Sequence, residues 1–554
     1  MRKKYSCIVL NIDKDWNIDA TKCSNLVKES VLKNRDVIYI YFGKKSVYIG
    51  QSTHWLDRHM NHKASKNVGI YDHVIIVYGS LIDGNSKNYI EKMLITLFTA
   101  DNEEKIKFRI ANGTIGNSSN DFLNKEKVDA SVIYPLWTQT LSDLGLVKNT
   151  QIDELKKSIL FAYSPFKELT NTQNKIIKSL LEDPRNSVIE GGSGTGKTVL
   201  LTNLAAQLRE NISNDKKIAV VVKANWRDTC KKIFKRYGIE KGVYIGSWGQ
   251  VYDTRDQFEY ILVDEAHRLP RYYGKLHPSE RKYFDKEKHL AKDKKNALYL
   301  LGKKTDNLIL LFDRNQTIRP SDIPLAEFEN YTQDNGFCHF YLETQLRIDI
   351  HDKGKNYTAE DFIKGIKFIL QLSEDDNFSR DLFCNPDEDS YFGLVDSIED
   401  LFKYIHEMDD KISCSKNRVI AGYAREWISK VDKERLDWNN KWKWNSTYIN
   451  WIYSERSEEE IGSIHAIQGV DLNCVGLIIG RDLVFRDGKV IASKENYFDK
   501  NGKPILADFT EAEFTTFIKN IYYILMTRGI DGIRIYIEDP ELKRHFESIC
   551  KKIC

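Results

Sequence analysis

The stretch VIEGGSGTGKTVLL occupies residues 188–201 and joins an apolar strand, a glycine-rich turn and the start of an apolar helical pattern. It fits the pattern G-x-x-x-x-G-K-[ST], in which small residues let backbone N–H groups close around phosphates. In such a loop the lysine reaches the β and γ phosphate oxygens, and the hydroxyl residue binds magnesium. The stretch therefore predicts a site for ATP and Mg²⁺, formed by Gly191, Gly192, Ser193, Gly194, Thr195, Gly196, Lys197 and Thr198.

Apolar strands followed by helical patterns recur on both sides of this loop, which indicates parallel sheets covered on both faces. The first set comprises SVIEGG (187–192), KIAVVVK (217–223), YILVDEAH (260–267) and LILLFD (308–313). The second set comprises RVIAGYA (418–424), VGLIIG (475–480) and IRIYIED (533–539). We therefore predict an α/β chain that contains two parallel-sheet domains.

Composition excludes several classes of protein. Hydrophobic residues make up 41% of the 554 and charged residues 29%, which is typical of ordered, water-soluble chains. A net charge of only +3 means that a polyanion would be bound by local basic patches. The nine cysteines form no C-x-x-C pair, and no apolar run reaches the length of a signal h-region or a membrane span, so we expect reduced thiols and a cytoplasmic location.

Acidic and amide side chains follow the strands of the first set. Asp264 and Glu265 end a buried strand, where one carboxylate can hold the magnesium water shell and its neighbour can polarise the attacking water. Gln173, ahead of the loop, has the paired donor and acceptor needed to bind the adenine edge. Gln316, in LILLFDRNQ, is placed to sense the γ-phosphate.

Further motifs follow in a fixed order: YLETQLRI with Arg347, GSIHAIQGVD with His465, Gln468, Gly469 and Asp471, and YYILMTRG with Arg528. This order is that of superfamily 1 helicases. Over roughly residues 160–545 the chain resembles helicase-like ATPases akin to the Schlafen carboxyl-terminal domain. The resemblance rests on EGGSGTGKTVL, VDEAHRL, DRNQTIRPSDI, ETQLRI, SIHAIQGVD and LMTRG.

The resemblance implies two RecA-like lobes with ATP between them. It makes Arg347 and Arg528 arginine fingers that stabilise γ-phosphate charge, and it makes Gln468 and Gly469 part of the nucleotide site. Judged without the family, the two arginines are more typical of surface ion pairs, where arginine usually lies. Asp471 stands where the family more often has glutamate, and this substitution keeps the charge.

A smaller α/β unit precedes these domains and contains VIYIYFGKKSVYIGQSTHWLDRHMNH, residues 37–62. Tyr39 and Tyr48 lie on the two strands of a predicted hairpin, and the spacing of Arg58 and His62 puts them on one helical face. Glu91 lies on a second predicted helix. Cleavage of a phosphodiester needs a metal, a base for water and a cation for the extra negative charge, and these residue types can supply that set.

Over roughly residues 35–115 this unit resembles the GIY-YIG nuclease domain. By that resemblance Glu91 binds Mg²⁺ or Mn²⁺, Arg58 clamps the phosphate, and Tyr39 and Tyr48 are the hydroxyl pair. His62 is an accessory base or a hydrogen-bond partner. Asn112 would close the site. Val37 replaces the glycine of the family name, and Tyr41 offers an alternative register for the first tyrosine. A hairpin with interfacial tyrosines and a solvated basic helix is the structural alternative.

Two segments have residue types that suit nucleic-acid contact. Residues 279–304 hold nine Lys/Arg against four Asp/Glu, although such runs are more often solvated faces. Four tryptophans can stack on bases if they are exposed, although such residues more often belong to the core: Trp438, Trp442, Trp444 and Trp451. The predicted domains are the nuclease unit at 1–115, a polar, irregular junction at 116–164, and RecA-like domains at 165–340 and 341–554.

These inferences predict an ATP-driven translocase or helicase fused to a metal-dependent endonuclease. DNA is favoured over RNA as its partner, and a role in restriction or anti-phage defence follows from the resemblance alone. Two alternatives stay open: an ATP switch that gates an RNA-cutting domain without unwinding, and a non-cleaving nucleic-acid sensor or scaffold. An oligomer or a partner protein is compatible with all three hypotheses.

Overall fold

A computed structural model describes residues 4–19, 28–63, 70–103, 106–110, 125–272, 278–291, 296–317, 321–348, 350, 357–384, 390–411, 416–447, 451–467, 472–499 and 510–549. This part of the chain contains two compact units. The first comprises Met1–Glu182, Thr198–Ile218 and Asp228–Tyr244, and the second comprises Asp183–Lys197, Ala219–Arg227 and Ile245–Cys554, each as far as it is described.

A mixed five-stranded sheet forms the amino-terminal part of the chain, in the order β1-β4-β2-β3-β5. Its strands are β1 (Ser6–Asn11), β2 (Val37–Phe42), β3 (Ser46–Ser52), β4 (His73–Tyr78) and β5 (Arg109–Ile110). Strands β1, β4, β2 and β3 pair antiparallel, and β5 pairs parallel with β3. The helices α1 (Trp55–Lys63) and α2 (Ser86–Asp101) confirm the two helices predicted to carry Arg58 and His62 and to carry Glu91.

The segment after this sheet is helical, although we expected an irregular junction. It contains two short π-helices, Asp129–Ile133 and Leu136–Leu141. It also contains three α-helices: α3 (Lys125–Val128), α4 (Ile152–Lys156) and α5 (Ile159–Ala162). Val132, Trp137 and Leu141 are buried there. Their spacing gives the run an apolar face, which outweighs the polar composition that suggested a loop.

A six-stranded sheet follows, in the order β11-β6-β10-β9-β7-β8. Its strands are β6 (Ser187–Gly191), β7 (Ile218–Val221), β8 (Val243–Gly246), β9 (Tyr260–Val263), β10 (Leu308–Phe312) and β11 (Cys338–Leu342). The pairs of β6 with β10 and β11, and of β9 with β10, are parallel, as the sequence predicts. Its helices are α6 (Asn171–Glu182), α7 (Lys197–Asn211), α8 (Ala224–Arg236), α9 (Trp248–Asp253), α10 (Pro278–Asp285), α11 (Ala297–Gly302) and α12 (Leu325–Asp334).

The second parallel sheet has the order β12-β18-β15-β13-β14. Its strands are β12 (Phe392–Val395), β13 (Arg418–Ala421), β14 (Ile461–Ser463), β15 (Leu472–Ile479) and β18 (Gly529–Ile537), and a separate hairpin joins β16 (Leu483–Arg486) to β17 (Lys489–Ala492). The helices here are α13 (Ala359–Ile369), α14 (Asp381–Cys384), α15 (Ile398–Lys411), α16 (Glu511–Met526) and α17 (Pro540–Ser548). Helix α16 is buried along most of its length, so it is a central element of this lobe.

A buried carboxyl group in this lobe makes its stability pH-dependent. Asp482 lies fully buried between β15 and β16, and the Tyr522 hydroxyl donates to its Oδ1 at 2.5 Å. Burial raises the pKa of Asp482 to about 7; Glu538 reinforces this shift, and Tyr522 and Arg425 oppose it. The buried Tyr497 also lies within electrostatic range. Because the unfolded chain releases this proton near pH 4, the folded state binds it more tightly.

Asp482→Asn should therefore stabilise the protein at pH 8 but not at pH 4. In the wild type the contribution of this group is complete below about pH 4 and falls by about 2–4 kcal/mol as pH rises through 7, whereas asparagine does not titrate. Urea unfolding of both proteins at pH 4 and pH 8 measures the difference. An equal effect of the substitution at both pH values would contradict the assignment of the proton to Asp482.

Candidate functional site

The glycine-rich loop lies between β6 and α7. Gly194 and Gly196 have φ values of +83° and +78°, which only glycine adopts without strain. The Lys197 ammonium lies inside the loop and donates to the carbonyl oxygens of Gly191 at 2.7 Å and Gly192 at 2.9 Å. The loop is therefore wound around the lysine, in the arrangement that cradles phosphates. Thr198 follows in the first turn of α7.

Two acidic residues follow β9, which lies next to β10 in the sheet. Asp264 is buried, and Glu265 adopts the left-handed conformation at φ 54°. His267 Nε2 lies 2.7 Å from a Glu265 carboxylate oxygen, while its Nδ1 accepts the backbone N–H of Asp313. The ring proton therefore belongs on Nε2 and faces the carboxylate. Although burial opposes ionisation, His267 and Lys197 hold the pKa of Glu265 well below its usual range.

Gln316 is connected to the loop through Asp313. Its side-chain amide donates to Asp313 Oδ2 at 2.7 Å, and the same carboxylate oxygen lies 3.7 Å from the Lys197 ammonium. Asp313 and Gln316 are both buried. The structure therefore brings Gln316, Asp313 and Lys197 together, as a γ-phosphate sensor beside the loop requires.

The segment after β11, residues 343–348, contacts the loop directly; we call it the strap. Strands β11 and β6 are parallel neighbours, so the strap and the loop leave the same sheet edge. The backbone N–H of Leu346 donates to Gly194 O at 2.9 Å, and the Gln345 amide donates to Ser193 O at 2.6 Å. Gln345 Oε1 also accepts the Arg347 N–H at 2.8 Å. A single amide thus holds both the loop and the segment that carries Arg347.

Arg347 connects the loop to the end of α16. Its guanidinium donates to Ser193 Oγ at 2.6 Å and to the backbone carbonyl of Thr527 at 3.3 Å. Arg528, the next residue, is buried at the end of α16. Arg347 therefore lies at the phosphate loop, where the finger assignment requires it. Arg528 lies next in sequence to the residue that Arg347 contacts, and its finger role stays a prediction.

Of the remaining residues assigned to the nucleotide site, some make other contacts and some lie outside the described part of the chain. The Gln173 amide oxygen accepts the Thr170 N–H at 2.9 Å at the start of α6, so a helix-capping contact occupies its acceptor. His465 Nε2 lies 3.6 Å from Asp499, which gives this histidine a structural contact. Gln468, Gly469 and Asp471 lie outside the described residues, as does Asn112 of the amino-terminal unit.

A second cluster forms in the amino-terminal unit around Tyr39. The Tyr39 hydroxyl lies 3.3 Å from His62 Nε2, and the Tyr48 ring lies 5.1 Å from the His62 ring. The hydroxyls of Tyr39 and Tyr48 lie within electrostatic range of the Arg58 guanidinium and raise the pKa of Arg58. Glu91, half-buried on α2, lies within electrostatic range of Arg58 and Tyr39. The structure thus brings together all five residues that the sequence selected for this unit.

The pairing of β2 with β3 explains which tyrosine enters the cluster. Tyr39 lies opposite Gly50 and Tyr41 opposite Tyr48. The Tyr41 hydroxyl lies 2.8 Å from His59 Nδ1, and His59 Nε2 lies 3.0 Å from the carbonyl of Trp16. Because Nε2 must donate to that carbonyl, Nδ1 accepts from Tyr41. Tyr41 is thus tied to a buried structural histidine, which favours Tyr39 as the first tyrosine of the site.

Burial shifts the ionisation of this cluster. It raises the pKa of Glu91 to about 7, although Lys92 and Arg58 oppose the shift. It lowers the pKa of His62 to about 4, and the Arg58 charge adds to that effect. Burial also places the pKa of the Tyr39 hydroxyl well above its usual value. At neutral pH the cluster therefore combines a neutral imidazole, a protonated phenol and a permanent guanidinium charge.

The two segments considered for nucleic-acid contact are largely structural where they are described. All four tryptophans are buried, and Trp442 stacks on Phe402 with ring centroids 5.1 Å apart, so they belong to the core. The basic segment 279–304 is described except for 292–295, and Lys286 pairs with Asp253 while Lys303 pairs with Glu287 at 3.2 Å. A solvated, ion-paired surface therefore accounts for the basic segment, and core packing accounts for the tryptophans.

Two residues at the phosphate loop escaped the sequence analysis. His267 was visible only as the last letter of the DEAH motif, and Gln345 precedes Arg347 by two positions in the strap. Both are polar residues close in sequence to a site motif, and such residues often hold the site residues in position. This proximity does not indicate that Gln345 bonds Ser193, because that contact depends on how two sheet-edge segments pack.

Two further features, metal-binding clusters and membrane-crossing helices, are absent from the described residues. No set of three or more His, Cys, Asp or Glu side chains there is arranged to hold a metal ion. Among the same residues, no helix combines the length and the apolar character that a membrane crossing needs.

Comparison with curated proteins and solved structures gives relatives of low identity. The uncharacterized protein YPL245W of Saccharomyces cerevisiae is 24% identical over 412 residues, covering 68% of this chain and 86% of its own. The solved DUF1998 helicase MrfA bound to DNA shares 11% identity over 72% of this chain, with a TM-score of 0.34, and the chain spans about half of it, 54%. The Pif1 helicase from Candida albicans shares 13% identity over 67% of this chain and 95% of its own, with a TM-score of 0.29.

The family comparison is more specific. The model of the Schlafen group 3 DNA/RNA helicase domain matches residues 184–539, which span the phosphate loop, both parallel sheets and Arg528. A helicase domain of this kind implies ATP hydrolysis with Mg²⁺ and action on nucleic acid. Since the match covers more than half of the 554 residues, the chain belongs to the Schlafen group 3 DNA/RNA helicase family.

Proposed function

We propose that this helicase-family chain is an ATP-dependent nucleic-acid translocase fused to a metal-dependent GIY-YIG endonuclease, and that it acts on DNA in restriction or anti-phage defence. The observation that carries the nuclease half is the convergence of Tyr39, Tyr48, Arg58, His62 and Glu91. Two antiparallel strands and two helices bring these side chains together. The preference for DNA and the defence role come from the family resemblance.

The charges and protonation states of the cluster suit phosphodiester cleavage. Arg58 is exposed, so it can meet a phosphate, and its permanent charge can stabilise the extra negative charge of the transition state. His62 is neutral at physiological pH and can accept a proton. The Tyr39 hydroxyl, 3.3 Å from His62 Nε2, can pass a proton from the attacking water to that imidazole. These residues supply the base and the cation of the reaction.

Glu91 is the residue that would hold the divalent cation. The donor set fits Mg²⁺ or Mn²⁺, since such ions bind through one or two carboxylates and complete their shells with water and substrate phosphate oxygens. Arg58 nearby would share the phosphate with the cation. The cation would polarise the scissile phosphoryl group when bound.

In the proposed ATPase cycle, the loop residues 191–198 hold the triphosphate. Asp264 and Thr198 would bind its Mg²⁺, Glu265 would polarise the attacking water, and Gln316 would sense the γ-phosphate. Arg347 is the finger best supported by its position at Ser193, with Arg528 as the second. Gln173, Gln468 and Gly469 complete the proposed nucleotide site by family resemblance.

Gly50→Ala should disable cutting without touching the ATPase. A Cβ at Gly50 would lie 2.3 Å from Cζ of Tyr39, so the ring would have to leave its place beside Arg58 and His62. We expect about a 100-fold loss of cleavage, because small displacements of a catalytic group carry penalties of that order. Nicking of supercoiled DNA and ATP hydrolysis are measured on the same preparation. Gly84→Ala, where the added methyl meets no atom within 4 Å, is the matched control.

One panel tests the proposal as a whole. Supercoiled DNA, single-stranded DNA and RNA are each incubated with the full chain and Mg²⁺, with and without ATP. Cleavage of DNA that increases with ATP supports the proposal; ATP-dependent cleavage of RNA alone supports a gated ribonuclease. A tailed duplex with Glu91→Gln protein then asks whether strands separate. If no substrate is cut under any condition, the nuclease half of the proposal is wrong and a binding role replaces it.

A further inference from the structure

Tyr522 and Tyr523 are adjacent, fully buried tyrosines on α16, and their hydroxyls differ in their hydrogen bonding. Tyr522 is saturated: its hydroxyl donates to Asp482 at 2.5 Å and accepts the Gly480 N–H at 3.2 Å. The Tyr523 hydroxyl is buried and has no hydrogen-bond partner within the described part of the chain. A buried hydroxyl without a partner costs about 1–3 kcal/mol, so its retention calls for an explanation.

The unpaired hydroxyl lies beside the phosphate loop. Tyr523 Oη is 3.7 Å from the position that a Cβ of Gly192 would take, and among the described residues, apart from Gly192 and its two chain neighbours, it is the one heavy atom within 4 Å of that point. Asp313 and Arg347 are both within electrostatic range of the same hydroxyl. The carbonyl of Gly192 also accepts the Lys197 ammonium at 2.9 Å. Tyr523 and the lysine are thus neighbours of the same loop residue.

The position of the Tyr523 hydroxyl indicates which part of a bound nucleotide it would contact. In loops of this kind the lysine reaches the β and γ phosphate oxygens, and an arginine finger acts on the γ-phosphate. A hydroxyl near both Gly192 and Arg347 is therefore on the terminal-phosphate side of the loop. Phosphate oxygens are strong acceptors, and a hydrogen bond from a neutral donor to a charged acceptor is about twice as strong as one between neutral groups.

We propose that the Tyr523 hydroxyl donates a hydrogen bond to the γ-phosphate of bound ATP, so that a tyrosine of the second lobe distinguishes ATP from ADP. This inference rests on the proposed ATPase function. In the nucleotide-free protein the hydroxyl is a destabilising feature, and in the ATP-bound protein it is satisfied. The same atom therefore weakens the fold and strengthens triphosphate binding, which a purely structural tyrosine does not do.

Tyr523→Phe removes only this oxygen and keeps the buried ring. We expect the nucleotide-free variant to melt at the same temperature as the wild type or higher. Binding of a non-hydrolysable ATP analogue should weaken by about tenfold, the scale of a hydrogen bond to a charged group, while ADP binding stays unchanged. Fluorescent nucleotide titration and thermal unfolding of the full chain measure the three quantities.

Tyr522→Phe is the matched control from the same helix turn. Because its hydroxyl holds Asp482 and Gly480, this variant should melt at a lower temperature and keep the wild-type ratio of ATP to ADP affinity. The proposal is overturned if Tyr523→Phe lowers the melting temperature as Tyr522→Phe does, if it leaves ATP affinity unchanged, or if it weakens ATP and ADP equally. If the wild-type chain binds no nucleotide, the proposed ATPase function fails first, and this inference fails with it.

Discussion

Replacing Glu91 by glutamine is expected to abolish nucleic-acid cleavage while ATP hydrolysis continues at the wild-type rate. Glutamine keeps the volume of the side chain but removes the single carboxylate that the amino-terminal cluster offers to a divalent cation. We expect cleavage to fall by about 1,000-fold, the scale of removing one electrostatic group from an active site. The fold should persist, since burial already disfavours the charged form of this group and raises its pKa to about 7.

Glu103→Gln is the matched control for that experiment. Glu103 lies just beyond the helix that carries Glu91, and it pairs with Lys232 at 3.1 Å, away from the tyrosine cluster. This variant should cut and hydrolyse ATP normally. Nicking of supercoiled DNA in Mg²⁺ and in Mn²⁺ is the measurement. Residual cutting by Glu91→Gln at more than a tenth of the wild-type rate would rule out Glu91 as the metal ligand.

Replacing Lys197 by alanine should remove ATP hydrolysis. The ammonium holds the carbonyls of Gly191 and Gly192 and lies 3.7 Å from the buried Asp313, so the variant loses both the phosphate contact and the charge that balances this carboxylate. We expect the ATPase rate to fall by at least about 1,000-fold. Cleavage that depends on ATP should fall with it, whereas any cleavage that needs no ATP should survive.

The steady-state rate of phosphate release, with and without single-stranded DNA, measures this effect. Lys178→Ala is the control, since that lysine is exposed on α6 and pairs only loosely with Glu182 at 3.8 Å. Thermal unfolding of both variants separates lost catalysis from lost structure. An ATPase that survives in Lys197→Ala would mean that the glycine-rich loop is not the nucleotide site.

Together the two substitutions separate the halves of the proposed enzyme. A chain in which Glu91→Gln stops cutting only, and Lys197→Ala stops hydrolysis, has two independent active sites. If Lys197→Ala also stops cutting in the absence of ATP, the loop has a structural role in the nuclease, and the proposed division of labour is wrong.

The parts of the site predicted from sequence are those set by short-range spacing. The interval from Gly191 to Thr198 defines a phosphate loop wherever it follows a strand and begins a helix. A separation of four positions puts the side chains of Arg58 and His62 on one helical face. The two parallel sheets followed from the same kind of local pattern. The segment from Lys125 onward was predicted to be irregular because of its polar composition, although its apolar residues form one face of a helical segment.

The sequence by itself determined the phosphate loop, the two parallel sheets and the residues of the amino-terminal cluster, because strand, turn and helix periodicities act over a few neighbouring positions. Only the tertiary structure decided that Gln345 bonds Ser193 and that Tyr39 enters its cluster while Tyr41 binds His59. It also decided that the Tyr523 hydroxyl lies near Gly192 with no hydrogen-bond partner among the described residues. These contacts join residues far apart in the chain, and they depend on strand register and helix rotation, which packing of the whole core fixes.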